Sequence, residues 1–195
     1  GDVTPPDVVI DPVTDVTTPN GNLTAFAVTG SCTVGDGDVT VSVSDQDGSP
    51  ANISSTVTCK SNGTWSTSFD VTSIDGGPNA IEVDASQTDA QGNVGNAVQV
   101  TANKDITPPA LTIDSPNPAN STNSSSYDVT GMCESGGTLV TVAISGATPA
   151  TQDVACNLSM YTANFDVSSI SDGANQISIN VSQDDSVGNL SLIHI

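Results

Sequence analysis

Strand and turn formers dominate this chain so heavily that it reads as all-β, built as two tandem sandwich domains of seven strands each. Three observations carry that reading. Thr, Ser, Val, Gly and Asn are abundant while Leu, Lys, Arg and Glu are scarce, so the residues that favour helices are missing. In Val39-Thr-Val-Ser-Val43 every second residue is Val, the period of a strand with one buried face. And nearly every recognisable segment occurs twice, in the same order.

The repeat fixes the domain count. Asp2-Val3-Thr4-Pro5-Pro6 returns as Asp105-Ile106-Thr107-Pro108-Pro109, and Val28-Thr29-Gly30-x-Cys32 as Val129-Thr130-Gly131-x-Cys133. Phe69-Asp70-Val71-x-Ser73-Ile74 returns as Phe165-Asp166-Val167-x-Ser169-Ile170. Ser86-Gln87-x-Asp89-x-x-Gly92-Asn93 returns as Ser182-Gln183-x-Asp185-x-x-Gly188-Asn189. The 195 residues therefore divide into domains 1–103 and 104–195. Within the first copy the expected strands are Val8–Ile10, Leu23–Thr29, Val39–Val43, Ile53–Cys59, Thr64–Val71, Ala80–Ser86 and Ala97–Ala102. Gly35-Asp36-Gly37, Asp47-Gly48-Ser49-Pro50, Ser61-Asn62-Gly63 and Asp75-Gly76-Gly77-Pro78 supply turns between them. Seven short strands in about 100 residues fit an immunoglobulin-like (Ig-like) sandwich. The terminal Ser191-Leu-Ile-His-Ile195 departs from the repeat, so the last strand of the second domain is expected to be shortened or altered.

Charge excludes several functions. Of 24 charged side chains 22 are acidic, and the net charge is −20, with Lys60 and Lys104 the only bases. A nucleic-acid backbone needs Lys and Arg to displace its counterions, and an anionic membrane surface would repel such a chain. No apolar run is long enough to span a bilayer as a helix. The chain opens at Gly1-Asp2-Val3 without a leader, as expected of a piece of something longer. Twenty of the acids are Asp, a turn residue and a compact ligand for hard cations. Adaptation to high salt would also explain acidity, though not the preference for Asp over Glu.

These motifs resemble the bacterial immunoglobulin-like (BIg) tandem repeats of giant secreted or surface adhesins. The likeness rests on the Asp-x-Thr-Pro-Pro start, the Ser73-Ile74-Asp75-Gly76 corner, the Asn62-Gly63-Thr64-Trp65 turn and Asp89-x-x-Gly92-Asn93. It implies an extracellular, cell-surface extender whose partners are neighbouring repeats of the same chain, often stiffened by Ca2+ at domain junctions. Two features lie outside that pattern: the two cysteines per domain, and Ser159-Met160-Tyr161 in place of Gly63-Thr64-Trp65.

Cys32 and Cys59, and Cys133 and Cys156, stand at matching positions, so one disulfide per domain is expected. The bridge should tie the end of the second strand to the end of the fourth. Zinc would need Cys-x-x-Cys clusters or His partners, which the sequence lacks. For calcium, the sandwich topology places Asp89 and Asn93 near Asp2, and Asp184, Asp185 and Asn189 near Asp105. Asp75 lies at the pole of the first domain that faces the linker. Asp105, Asp75, Asp184, Asp185 and Asn189 are thus the expected junction ligands, with backbone carbonyls completing the shell. Each of these Asp residues is equally what a plain turn requires. Asp45-Gln46-Asp47-Gly48 lacks the remaining ligands of an EF-hand.

Catalysis is not expected. The single His, His194, has no partner motif, and six aromatics over two domains leave no sugar-stacking cleft. Trp65 reads as a core residue rather than a surface platform. The Asn22, Asn62 and Asn157 sequons are what so Asn- and Thr-rich a chain contains by chance. The expected product is a monomeric structural extender. The alternatives are a glycan- or receptor-binding module, or a spacer beside a polysaccharide-degrading enzyme.

Overall fold

A computed structural model describes residues 1–48, 53–146 and 149–195. The Ser49-Pro50 half of the expected Asp47–Pro50 turn lies outside the described residues. Among those described, all regular structure is strand, and the chain divides into two compact units, Gly1–Ile106 and Thr107–Ile195.

In the first unit, β1 (Val9–Ile10), β3 (Phe26–Ser31) and β6 (Thr64–Phe69) form one sheet in the order β1-β3-β6. The facing sheet runs β2 (Val16–Thr17), β9 (Val100–Asp105), β7 (Gly77–Thr88), β4 (Val39–Asp45), β5 (Ile53–Val57), with β8 (Val94–Asn96) also on β7. Phe26, Val28, Trp65 and Phe69 from the first sheet meet Val39, Val41, Val43, Ile81, Val83 and Ala102 from the second in a single core. The alternation in β4 does what its period requires: Val39, Val41 and Val43 are fully buried, and Thr40 points out.

Two strands differ from expectation. β2 is a two-residue strand running parallel to β9, with Val16 opposite Lys104 and Thr17 opposite Asp105. The expected seventh strand, Ala97–Ala102, instead begins at Val100 and runs on to Asp105, with the short β8 before it, and Ser86 faces Asn96 while Val83 faces Val100. Three steps along β7 thus match four along its partner, and the extra residue bulges out.

The second unit repeats the plan with β10 (Tyr127–Met132) paired to β13 (Met160–Phe165). Its other sheet is β12 (Ala150–Val154), β11 (Val140–Ser145), β14 (Ser178–Asp184), β15 (Leu190–His194), in that order. Tyr127, Val129, Tyr161 and Phe165 pack against Val140, Val142, Ile144, Ile179 and Val181. Here the final strand pairs without a bulge, from Asp184 opposite Leu190 to Asn180 opposite His194.

Both expected disulfides form: Cys32 to Cys59 and Cys133 to Cys156. In the first unit the bridge joins the residue after β3 to a residue beyond β5, so it staples the two sheets together.

Candidate functional site

The loop after β7 shows how the Asp-x-x-Gly-Asn spacing works. Asp89 Oδ1 accepts the backbone N–H of Gln91 (2.9 Å) and of Asn93 (2.8 Å). Its Oδ2 accepts the Asn93 side-chain amide at 2.7 Å, and the same amide donates to the Asp2 carbonyl at 3.1 Å. Asp89, Asn93 and the Asp2 backbone are therefore brought together, but the Asp2 carboxylate is turned to its own chain, accepting the Thr4 N–H at 3.0 Å. The Asn93 amide is the main reason the Asp89 carboxyl titrates below the usual range; burial opposes it, and backbone N–H groups add to it.

The second unit reproduces the loop. Asp185 Oδ1 accepts Val187 N–H (2.9 Å) and Asn189 N–H (2.8 Å), and Oδ2 accepts the Asn189 amide (2.7 Å). Burial raises the Asp185 pKa, but the bonds from Asn189, Val187 and Gly188 outweigh it and the net shift is downward. Asp184 closes β14, and its carbonyl accepts the Thr138 N–H at 2.9 Å. All four Asp89/Asp185 carboxylate oxygens thus already accept hydrogen bonds from the loops they close.

At the other pole of the first unit, buried Asp45 accepts the Asp75 N–H at 2.8 Å and the Asp47 N–H at 3.3 Å. Asp45, Asp47 and Asp75 line an open cleft of about 400 Å³ with Gly76, Gly77 and Pro78. Asp105 ends β9 opposite Thr17. Among the described residues, no group of three or more His, Cys, Asp or Glu is placed to hold a metal ion.

Two further features went unforeseen. Lys104 is buried, only 2% exposed, and its ammonium donates to the Val71 (2.9 Å), Thr72 (3.1 Å) and Ile74 carbonyls. Burial lowers its pKa, and the carboxylates of Asp75, Asp45 and Asp70 push the other way. The sequence carried one signal: Lys104 continues the inward register of Ala102 along β9. The second feature is a buried glutamine in each unit. Gln87 accepts the Thr33 N–H and donates to the Thr33 and Gly37 carbonyls, and Gln183 does the same for Glu134 and Thr138. A side-chain amide that satisfies both its oxygen and its nitrogen against one loop fixes that loop beside the disulfide.

Trp65 is 1% exposed, with its indole N–H on the Ser31 carbonyl at 3.0 Å; it offers no stacking face. Tyr161 replaces it in the second unit, donating to the Thr112 carbonyl at 2.9 Å. Burial, aided by Asp114, pushes the Tyr161 pKa up to about 12.

No family model and no curated protein matches the chain in sequence. Among solved structures, it is similar to one from a 1.5-MDa bacterial ice-binding adhesin, from work on that protein's retention at the host cell surface. The TM-score is 0.57 at 18% identity, and the match covers 100% of this chain and 64% of that one. This chain therefore spans less than two thirds of the adhesin chain it matches. A tetra-tandem repeat from the extending region of a large adhesion protein aligns with TM-score 0.41 and 20% identity, over 96% of this chain and 47% of that one. At 18% identity the first likeness is one of fold alone.

Proposed function

We propose that this chain is a non-enzymatic extender module of a large bacterial surface adhesin, working outside the cell as a monomer beside neighbouring repeats of its own chain. The observation that carries the reading is the fold likeness over the whole chain to an adhesin structure. The framework suits the role. A duplicated sandwich with an inter-sheet disulfide in each copy suits a spacer, and the bridges fit an oxidising compartment.

Calcium enters the proposal at the domain junction only. Within either unit the candidate acids do not make a cage, since Asp89 and Asp185 are committed to their own loops. The proposed ligands are Asp105, Asp75, Asp184, Asp185 and Asn189, and an ion taking Asp185 would have to displace the bonds it accepts from Val187 and Asn189. A divalent ion bound by these carboxylates would offset the repulsion among them.

Small-angle X-ray scattering of the chain, titrated from excess chelator to millimolar calcium with melts alongside, tests this. The expected result is convergence on one extended shape with a raised melting temperature, lost in Asp105→Ala. Unchanged shape and stability would remove calcium from the mechanism. The extender role itself would fall if the chain bound a glycan or receptor reproducibly on an array; buried Trp65 gives such binding no aromatic platform.

A further inference from the structure

The end of β9 is fastened from every side by polar contacts. The Lys104 backbone lies between two strands, opposite Gly77 on β7 and opposite Val16 on β2. Its three ammonium protons go to three carbonyls of the Val71–Ile74 turn, which links the two sheets. The preceding residue is gripped as well. Asn103 donates its backbone N–H to Asp15 Oδ1 (2.8 Å) and its side-chain amide to Asp15 Oδ2 (3.0 Å). Asn103 Oδ1 accepts the Asn79 N–H at 2.8 Å. Asp15 in turn is held by its carbonyl, which accepts the Asn20 amide at 2.7 Å.

We propose that Lys104, with Asn103 and Asp15, is a mechanical latch that holds the first unit closed when the chain is pulled from its ends. The reasoning is geometric. β2 follows the unit's N-terminal entry, β9 precedes its exit at Ile106, and the two run parallel. Once the two-residue β1 has parted from β3, tension draws β2 backward and β9 forward along one another, so the bonds between them are sheared together rather than opened one by one. Lys104 stands two residues before Ile106, so force arriving from the following segment reaches it before the core of the sheet. The ammonium ties that point to a third element, the inter-sheet turn, and β9 cannot slide without breaking three charge-assisted bonds.

The second unit is an internal control. Its Val167–Ile170 turn keeps the backbone bond of the first, Ile170 N–H to the Val167 carbonyl, as Ile74 N–H binds Val71. Residues 107–195 contain no lysine. The surrounding acids change in part. Val41 faces Ala85 as Val142 faces Val181, an alignment that puts Gly146 where Asp45 stands; Ser171 follows the turn where Asp75 does. Lysine and Asp45 are thus present in one unit and replaced in the other, whereas Asp70 recurs as Asp166 and an Asp-Gly follows the turn in both, Asp75-Gly76 and Asp172-Gly173.

The latch rests on the extender reading only for the origin of the tension. It is tested on the full chain, tethered by its ends with disulfides intact, carrying Lys104→Met. The first unit should unfold at constant force about tenfold faster or more, as loss of a charged hydrogen-bond cluster implies, with the second unit unchanged. The same variant in denaturant should show a smaller acceleration. Equal acceleration with and without force would make Lys104 a stability element and overturn the latch; so would an unchanged rate under force. If Lys104→Met does not fold, judged by fluorescence of the single tryptophan, Trp65, then Asn103→Ala reads the same latch with the lysine kept. These outcomes do not depend on calcium or on surface display, so failure here leaves the scattering and array tests standing.

Discussion

Reducing the two disulfides should change both the stability of each unit and the length it releases when pulled, by amounts set by where the bridges sit. Cys32–Cys59 spans 27 residues and Cys133–Cys156 spans 23. Closing loops of that size removes denatured-state entropy equivalent to about 3.5 kcal/mol for each bridge at 25 °C. For a unit of this size that corresponds to a fall in melting temperature of roughly 15–25 °C. Under force, a bridge hides the residues between its cysteines. At about 3.5 Å per extended residue, reduction should lengthen the first unit's unfolding step by roughly 95 Å and the second's by roughly 80 Å. Single-molecule pulling with and without reductant reads the steps, and thermal melts read the stability. Unchanged steps would mean the pairs do not form as described. Lengthened steps without loss of stability would refute the entropic account, showing that the bridges limit extension but do not hold the fold.

Two other perturbations follow from named contacts. At Gly30 a Cβ would lie 2.0 Å from the Val9 carbonyl oxygen and 2.5 Å from Trp65 Cζ2, and neither a backbone nor a packed indole can yield cheaply. Gly30→Ala should therefore cost about 3 kcal/mol in urea unfolding, at the upper end for overpacking, as β1 lifts from β3; an unchanged midpoint would refute this packing. The lowered carboxyl pKa of Asp89 means the folded state holds its proton less readily than the unfolded chain. Its stabilisation is thus present at neutral pH and lost as pH falls below about 4, through the lowered value. The stability gap between the native chain and Asp89→Asn should be constant from pH 7 to about 5 and close in acid; a gap independent of pH would contradict the hydrogen-bonded loop.

What was legible in the sequence, and what was not, follows from the range of each signal. Period-2 patterns and Asp-Gly turns are local, so β3, β4 and β6 lie within a few residues of their expected places. Cysteines at matching positions of a duplicated chain announced their pairing. β2 escaped because two residues carry no periodicity; its existence depends on β9, which lies more than 80 residues away. The β8–β9 break escaped because a bulge is a property of two strands in register, not of one. The Asp-x-x-Gly-Asn loops were found, but spacing alone does not say whether a carboxylate faces an ion or its own backbone. Lys104 was the largest omission: among so many acids a lone base reads as a surface counterion, although its register along β9 pointed inward.

Comparison of the two units sorts the acids by what they do. Asp89 and Asp185, Asp70 and Asp166, and Asp11 and Asp114 recur, and each pair makes the same contact in both copies. Asp70 and Asp166 close the turns at Thr72 and Ser168, and Asp11 and Asp114 accept the Thr29 and Thr130 hydroxyls. These carboxylates serve as framework, since each closes or braces its own loop without an ion. Asp45 has Gly146 in its place, Asp75 is matched only one residue later by Asp172, and both acids, with Asp70, raise the pKa of the buried Lys104 against the effect of burial. A buried ammonium needs opposite charge nearby, so their presence is accounted for without an ion. Asp75, one of the cation ligands expected from sequence, therefore already interacts with a cation supplied by the protein itself. Any calcium would have to compete with the Lys104 ammonium for Asp75. Calcium binding and the latch are then linked: an ion that drew Asp75 away would weaken the hold on β9, whereas one held chiefly by Asp105 and Asp184 would leave it intact. Calcium should consequently leave the first unit's unfolding rate under force unchanged if the junction uses Asp105 and Asp184, and raise it if Asp75 is a principal ligand. Pulling the full chain in chelator and in calcium separates the two.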